Sequence, residues 1–197
     1  MSSTETSRRL FDLGFAAVGC VVFAPVVAAA STAILVSDGA PVVFRQERVG
    51  LGRRRFSVLK LRTMRDGRVT RVGGWLRATG IDETLQFLNV LRGEMGMCGP
   101  RPLTPDDVAR LGLAEPANDF RFSVRPGITG LAQLFAGRGR SHSRRLDRLQ
   151  VARSSLALDT LVVFASFVVN VLGKKKTQHL LQRLRMHRRR SRAPHRP

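Results

Sequence analysis

Tyrosine is absent from this 197-residue chain, tryptophan occurs once, and 14 acidic residues face 34 Lys and Arg. Cysteine is scarce as well. Cys20 and Cys98 alone make neither a disulfide-rich secreted scaffold nor a four-ligand zinc cluster. The four histidines, His142, His179, His187 and His195, fall in no HExxH or similar spacing, which excludes a zinc hydrolase. Basic residues are not interleaved with aromatic ones, so the stacking platform of a single-strand nucleic-acid binder is missing. What is present is a 43% apolar composition, enough to bury a core, in a length that suits one domain with appendages.

The net charge of +20 is unevenly spread. Ten Lys and Arg, and no acid, lie between Lys174 and Pro197, so that tail holds half of it. Such a tail suits nucleic-acid phosphates or anionic lipid headgroups, the latter at about 1 kcal/mol per residue near the surface. A solvated tail that only aids solubility fits equally well.

Leu13 to Ser37 carries no charge and is bounded by Asp12 and Asp38. It meets the length of about 20 apolar residues that a spanning helix needs. A cleaved signal peptide fits poorly, because the run is too long. Pro25 stands in its middle, where the ring blocks a helical hydrogen bond. Arg8 and Arg9 precede the run, while Arg45, Arg48 and Arg53 to Arg55 follow it. Both flanks thus carry the cytoplasmic mark. A helix that enters, breaks at Pro25 and returns to the same face satisfies both flanks; a straight span with a tolerated kink is the alternative. A second apolar run, Leu161 to Leu172, is too short to span and reads as a core or interfacial helix beside Lys174 to Lys176.

Between these runs, Pro41 to Met64 reads as a hairpin, with Gly50 and Gly52 in the connection. From Ile81 the spacing of Leu85, Leu88 and Leu91 predicts a helix with Thr79 as its cap, placing Asp82 and Glu83 in its first turn. Carboxylates there are favoured by the helix dipole, as a bound phosphate would be. A carboxylate held ionised can attack phosphorus or ligate a metal, and it can also do no more than cap the helix. GPRP (Gly99 to Pro102) is a rigid elbow that presents Arg101, and RPGITG (Arg125 to Gly130) supplies a second arginine.

The order of these pieces resembles the bacterial sugar transferases, the monotopic polyprenol-phosphate phosphoglycosyl transferases that initiate glycoconjugate assembly. The resemblance rests on the Pro25 segment, VVFRQERVG (Val42 to Gly50), FSVLKLRTM (Phe56 to Met64) and DETLQFLNVLRGEM (Asp82 to Met95). GPRP and VRPGITGLAQ (Val124 to Gln133) complete it, so that it covers roughly residues 8 to 172. It implies that Asp82 attacks the β-phosphorus of a UDP-sugar, that UMP leaves, and that polyprenol phosphate then takes the sugar phosphate from Asp82. It further implies Mg²⁺ held by Glu83 and Asp82. Substrate and phosphate contacts implied in the same way are Arg77, Arg101, Arg125 and Arg138, with Lys60, Arg62, Gln133 and Asp147 also lining the site. The chain departs from the usual family pattern at Ala24, Leu85, Gly96 and Leu131. It has ten residues between Met64 and Trp75, where most relatives have a longer acidic loop.

The expected fold is therefore mainly α with a small β-hairpin (α+β), with a Pro-broken re-entrant membrane helix and interfacial amphipathic helices. Residues 1–38 are the membrane helix, 39–160 a catalytic domain on the cytoplasmic face of a bacterial inner membrane, 161–173 an interfacial helix and 174–197 a basic, disordered tail. Expected partners are a UDP-sugar, polyprenol phosphate and anionic membrane lipid, with no nucleic acid and an oligomeric state left open. The pathway expected is exopolysaccharide or other glycoconjugate synthesis. A catalytically silent membrane scaffold of the same fold and a basic nucleic-acid-binding protein remain as alternatives.

Overall fold

The computed structural model describes residues 3–135 and 139–172. Arg138 and the basic tail lie outside the described residues. The fold is mainly helical with small sheets. Helix α1 runs from Ser3 to Asp38, and its helical assignment continues through Pro25. Strands β1 (Val43–Val49) and β2 (Arg55–Leu61) form the antiparallel hairpin that the sequence predicts, with Phe44 opposite Lys60 and Arg48 opposite Phe56. Side chains alternate across a strand, so Phe44, Gln46, Arg48 and Lys60 share one face.

The short segment after Met64 is a second, tighter hairpin, β3 (Met64–Arg65) with β4 (Arg68–Val69). Its two-residue turn is Asp66-Gly67, both at positive φ, the pair that a hairpin turn matching strand twist requires. Helix α2 (Arg71–Thr79) follows, with Thr70 as its cap.

The helix expected from Ile81 is divided. Thr79 ends α2 instead of capping the next helix, and its hydroxyl donates to the Trp75 and Leu76 carbonyls. Gly80, at φ 76, ends α2 in the left-handed conformation. Ile81–Glu83 then make one 3₁₀ turn, and α3 covers only Gln86–Leu91. Gly80 can take a positive φ without penalty, so the chain breaks where leucine spacing alone gave a continuous helix.

The remaining elements are β5 (Gly96–Cys98), α4 (Pro105–Arg110), a 3₁₀ segment at Pro116–Phe122, β6 (Gly127–Thr129), α5 (Leu131–Leu134), α6 (Arg140–Ala152) and α7 (Leu156–Leu172). Strands β5 and β6 pair in parallel. Helix α7 begins five residues before the apolar run, because Asp159 in its first turn is buried against Arg8 at 2.6 Å.

Three apolar clusters hold these elements together. The largest joins Ala16 of α1, Val58 of β2, Val90 of α3, Met95, Met97 and Val162 of α7. A second joins Ala30 and Ile34 of α1 to Leu61 and Leu76. A third, Val108, Leu113 and Phe122, lies under α4.

Helix α1 is tied to this body along its length. Near its start, Arg9 donates to the Val90 carbonyl at 2.8 Å, and Asp12 accepts from the Met97 N–H at 2.8 Å. Midway, the Phe23 and Phe87 rings lie 6.0 Å apart. At its end, Arg62 and Arg65 donate to the Asp38 carbonyl at 2.9 and 2.7 Å. Other positions of α1 are bare: Val18, Val21, Val22 and Val36 are each at least 60% exposed. On α7, Leu161, Phe164 and Phe167 are likewise exposed, while Val162 and Val163 are core. The short apolar run is thus both a core helix and an exposed apolar face.

Candidate active site

The 3₁₀ turn after Gly80 directs Asp82 inward, where it is 8% exposed, and Glu83 toward β2. Glu83 Oε1 lies 2.6 Å from Lys60 Nζ, an ion pair between the acid pair and the hairpin. Burial and the adjacent Glu83 push the Asp82 carboxyl up from its ordinary value; Lys60 and Arg77 pull it back down. Arg77 sits one turn before the acid pair and is fixed by donating Nε to the Thr63 hydroxyl at 2.8 Å.

These groups line one cavity of about 1870 Å³. Arg101, Gln133 and Asp147 line it too, so it gathers six of the acids and polar residues expected at the site besides Glu83. Its character changes from end to end. Beside α1 and α7 the walls are apolar: Phe15, Val18 and Val22 of α1, Phe87 of α3, and Val163 and Phe167 of α7. At the other end Arg121, Arg144 and Asp147 meet Leu113 and Phe120.

Two expected contacts stand elsewhere. Arg125 donates to the Gly93 carbonyl at 3.0 Å, and Arg62 to the carbonyls of Asp38 and Gly39; neither lines the cavity. All three carbonyls lie at or just past the ends of helices, where a guanidinium satisfies oxygens left without helical partners. Arg138 is outside the described residues.

Arg101 owes its place to interlocked backbones. A Cβ at Gly127 would lie 2.1 Å from the Gly99 nitrogen, and one at Gly99 would lie 2.4 Å from the Arg125 carbonyl oxygen. GPRP and RPGITG therefore pack main chain to main chain, which only glycine permits. Across this contact Gly99 N–H donates to Thr129 O at 2.9 Å, and Gly127 N–H to Pro100 O at 3.0 Å.

Four residues of the site were not singled out from sequence. Arg48 shares a small cavity with Lys60, Glu83 and Arg101, and donates to the Pro102 carbonyl at 3.1 Å. Burial and nearby Arg101 lower its pKa. The alternation of VFRQERV places Arg48 and Gln46 on the Lys60 face, a signal legible once the hairpin register is known. Arg121 forms a buried ion pair with Asp147, and burial pushes its guanidinium down to about 10. Arg144 donates to Asn118 Oδ1 at 2.7 Å. No short motif marks these last two residues.

The cavity thus brings together a buried carboxylate, a second one paired with a lysine, arginines and apolar walls, a lining that suits an anionic ligand. The described residues contain no cluster of three or more His, Cys, Asp and Glu able to cage a metal. Asp82 and Glu83 are adjacent carboxylates, and Mg²⁺ is commonly held by one or two carboxylates with substrate phosphates completing its shell.

The family described as bacterial sugar transferase matches residues 3–173. The chain is 41% identical to a UDP-glucose:undecaprenyl-phosphate glucose-1-phosphate transferase of Caulobacter vibrioides, over 76% of this chain and 61% of that protein. It is 36% identical to an undecaprenyl-phosphate glucose phosphotransferase of Komagataeibacter xylinus, over 85% of this chain and 36% of that one. The chain thus spans less than two thirds of the length of these two relatives. With the exopolysaccharide production protein ExoY of Rhizobium meliloti it shares 32% identity, over 85% of this chain and 87% of that protein. A family match over residues 3–173, together with a relative covered over most of its length, shows that the chain belongs to the bacterial sugar transferase family.

Proposed function

We propose that this protein transfers a sugar 1-phosphate from a UDP-sugar to polyprenol phosphate at a membrane face, through a covalent intermediate on Asp82. The observation that carries this reading is the single cavity that joins a buried carboxylate pair to an apolar arm built from α1 and α7. A charged nucleotide sugar and an apolar lipid phosphate would meet there without the lipid leaving the bilayer.

In the first half-reaction an Asp82 carboxylate oxygen attacks the β-phosphorus, and the bond from that phosphorus to the bridging oxygen breaks, releasing UMP. In the second, a phosphate oxygen of polyprenol phosphate attacks the same phosphorus and Asp82 departs as carboxylate. Both steps displace at phosphorus, so the chain's task is to hold charge and line. Lys60, Arg77 and Arg101 neutralise the diphosphate. Glu83 and Asp82 would hold Mg²⁺, which when bound supplies further neutralisation of diphosphate charge. Gln133 lines the cavity between the acid pair and β6.

The ties of α1 support placement at one membrane face. A helix of 36 residues is about 54 Å long if straight, well beyond the roughly 30 Å hydrocarbon core. Yet Arg8, Asp12, Ile34 and Asp38 all contact the same folded body. Entry and return on one face, with the exposed valines of α1 in lipid, is the topology these contacts support. The exposed Leu161, Phe164 and Phe167 of α7 would enter the same leaflet. Relatives bear names tied to undecaprenyl phosphate and exopolysaccharide production, which makes that lipid and that pathway the first to try.

The direct test is UMP release from a panel of UDP-sugars by the protein in nanodiscs with undecaprenyl phosphate and Mg²⁺. Release from one donor is the expected result; release from none would return the silent scaffold to first place. The raised Asp82 pKa adds a pH signature. The attacking form is ionised, so activity should fall as pH drops through that raised value. Lys60→Met removes the first cation that opposes the shift, so the acid limb of kcat/KM should move to higher pH. An acid limb that stays in place in Lys60→Met would remove Lys60 from this role.

A further inference from the structure

The reading above uses the middle of the cavity and its apolar arm, and leaves the opposite arm without an occupant. That arm is built by elements remote from the membrane helix. Helix α4 packs on β1, and α6 packs on the 116–122 segment, whereas α1 packs chiefly on α2, α3, β5 and α7.

Asp147 is the informative residue of this arm. Its side chain is 3% exposed. Arg121 occupies Oδ2, while the buried Oδ1 has no hydrogen-bond partner among the described residues. A buried carboxylate oxygen without a donor is unfavourable, and one that lines a cavity is satisfied by a ligand that donates. Phosphate cannot do this, since it brings only acceptors and negative charge. Asp147, which the resemblance implies lines the site, is therefore no contact for the ionised diphosphate.

The neighbours define the ligand further. Phe120 lines the cavity and carries the Arg148 guanidinium on its ring, 5.0 Å from the centroid. Arg144 is anchored by Nε and Nη2, both donating to Asn118 Oδ1, which leaves its Nη1 donors for something else. Arg121 donates its second nitrogen to the Arg101 carbonyl at 2.6 Å, so this arm is joined to the GPRP elbow. A ring surface, a carboxylate lacking a donor and an anchored guanidinium complement a planar base on a ribose with two hydroxyls.

On the reading that the donor is a nucleoside diphosphate sugar, we infer that this arm holds its nucleoside. The base lies against Phe120 and a ribose hydroxyl donates to Asp147 Oδ1. The diphosphate then passes Arg101 on its way to Asp82. Arg121 positions Asp147 and Arg101 together and touches neither reacting atom.

The test is equilibrium binding of UMP, 2′-deoxy-UMP and 3′-deoxy-UMP to the full chain in nanodiscs. One of the two deoxy nucleotides should bind about tenfold or more weakly than UMP, because its absence leaves a charged acceptor unpaired. Asp147→Asn should abolish that difference, and Phe120→Ala should weaken all three nucleotides by about tenfold. The comparison on the unaltered protein requires no variant, so a misfolded Asp147→Asn does not obscure it. If both deoxy nucleotides bind within twofold of UMP while UMP release from a UDP-sugar proceeds, this inference falls and the transferase reading stands. If the unaltered protein neither binds UMP nor releases it, both fall.

Discussion

Asp82→Asn is expected to reduce UMP release by about a thousandfold or more while leaving the protein at least as stable as before. The two halves of this expectation have separate causes. Asparagine matches the shape of aspartate but offers phosphorus no anionic oxygen, so the first displacement loses its nucleophile. Stability goes the other way. The Asp82 pKa is raised in the folded protein by burial and by Glu83, so above its unfolded value the ionised form costs folding free energy. That cost is relieved as pH falls through the raised folded pKa, and a neutral amide removes it at every pH. Thermal unfolding at neutral pH should therefore show a midpoint unchanged or higher. Loss of both activity and stability would mean that Asp82 is a structural acid. Glu83→Gln should be the milder change in chemistry, because its carboxylate pairs with Lys60 and is not the nucleophile of the proposed mechanism.

Gly127→Ala is expected to be among the most damaging alanine substitutions at the described glycines. Glycine to alanine stabilises a protein by up to about 1 kcal/mol where the backbone permits it, by restricting the unfolded chain. Gly127 does not permit it. The added Cβ would lie 2.1 Å from the Gly99 nitrogen, 2.4 Å from the Thr129 oxygen and 2.6 Å from the Cys98 carbonyl carbon. All three are backbone atoms, and no rotamer can withdraw them. Overpacking of this kind costs about 3 kcal/mol, which at 2–4 °C per kcal/mol lowers the melting midpoint by about 10 °C. The parallel β5–β6 pair would open and take the GPRP elbow and Arg101 with it. Gly14→Ala is the matched control, with nothing within 4 Å of its new Cβ, and should leave the midpoint unchanged or raise it. A Gly127→Ala protein that melts with the parent would show that the two motifs are not interlocked as described.

Much of this was legible before any coordinates. The hairpin follows from alternation on either side of a glycine-rich connection, and its register carries Lys60 to Glu83. Arg77, Arg101 and Asp147 do line the cavity with the acid pair. The failures have local causes. Leucine spacing gave one helix from Ile81, but a left-handed Gly80 and a 3₁₀ turn divide it, and that break is what turns Asp82 inward. Strands β5 and β6 are three residues each, too short to show a period, and are specified by glycines whose crowding only the fold reveals. Arg125 and Arg121 stand four residues apart, and nothing in their own sequence says which serves a helix end and which a ligand cavity. Asp159 cuts the second apolar run short in sequence, yet in space it is neutralised by Arg8 and admitted to α7.

The covalent step is tested most directly by incubating the protein with its UDP-sugar and Mg²⁺ in the absence of polyprenol phosphate. UMP should then be released in one equivalent per protein and no more. The intact mass should rise by one sugar phosphate, mapped by peptide analysis to Asp82. UMP release that begins only when the lipid is added, with the protein mass unchanged throughout, would contradict a covalent intermediate and point to direct transfer between the two substrates.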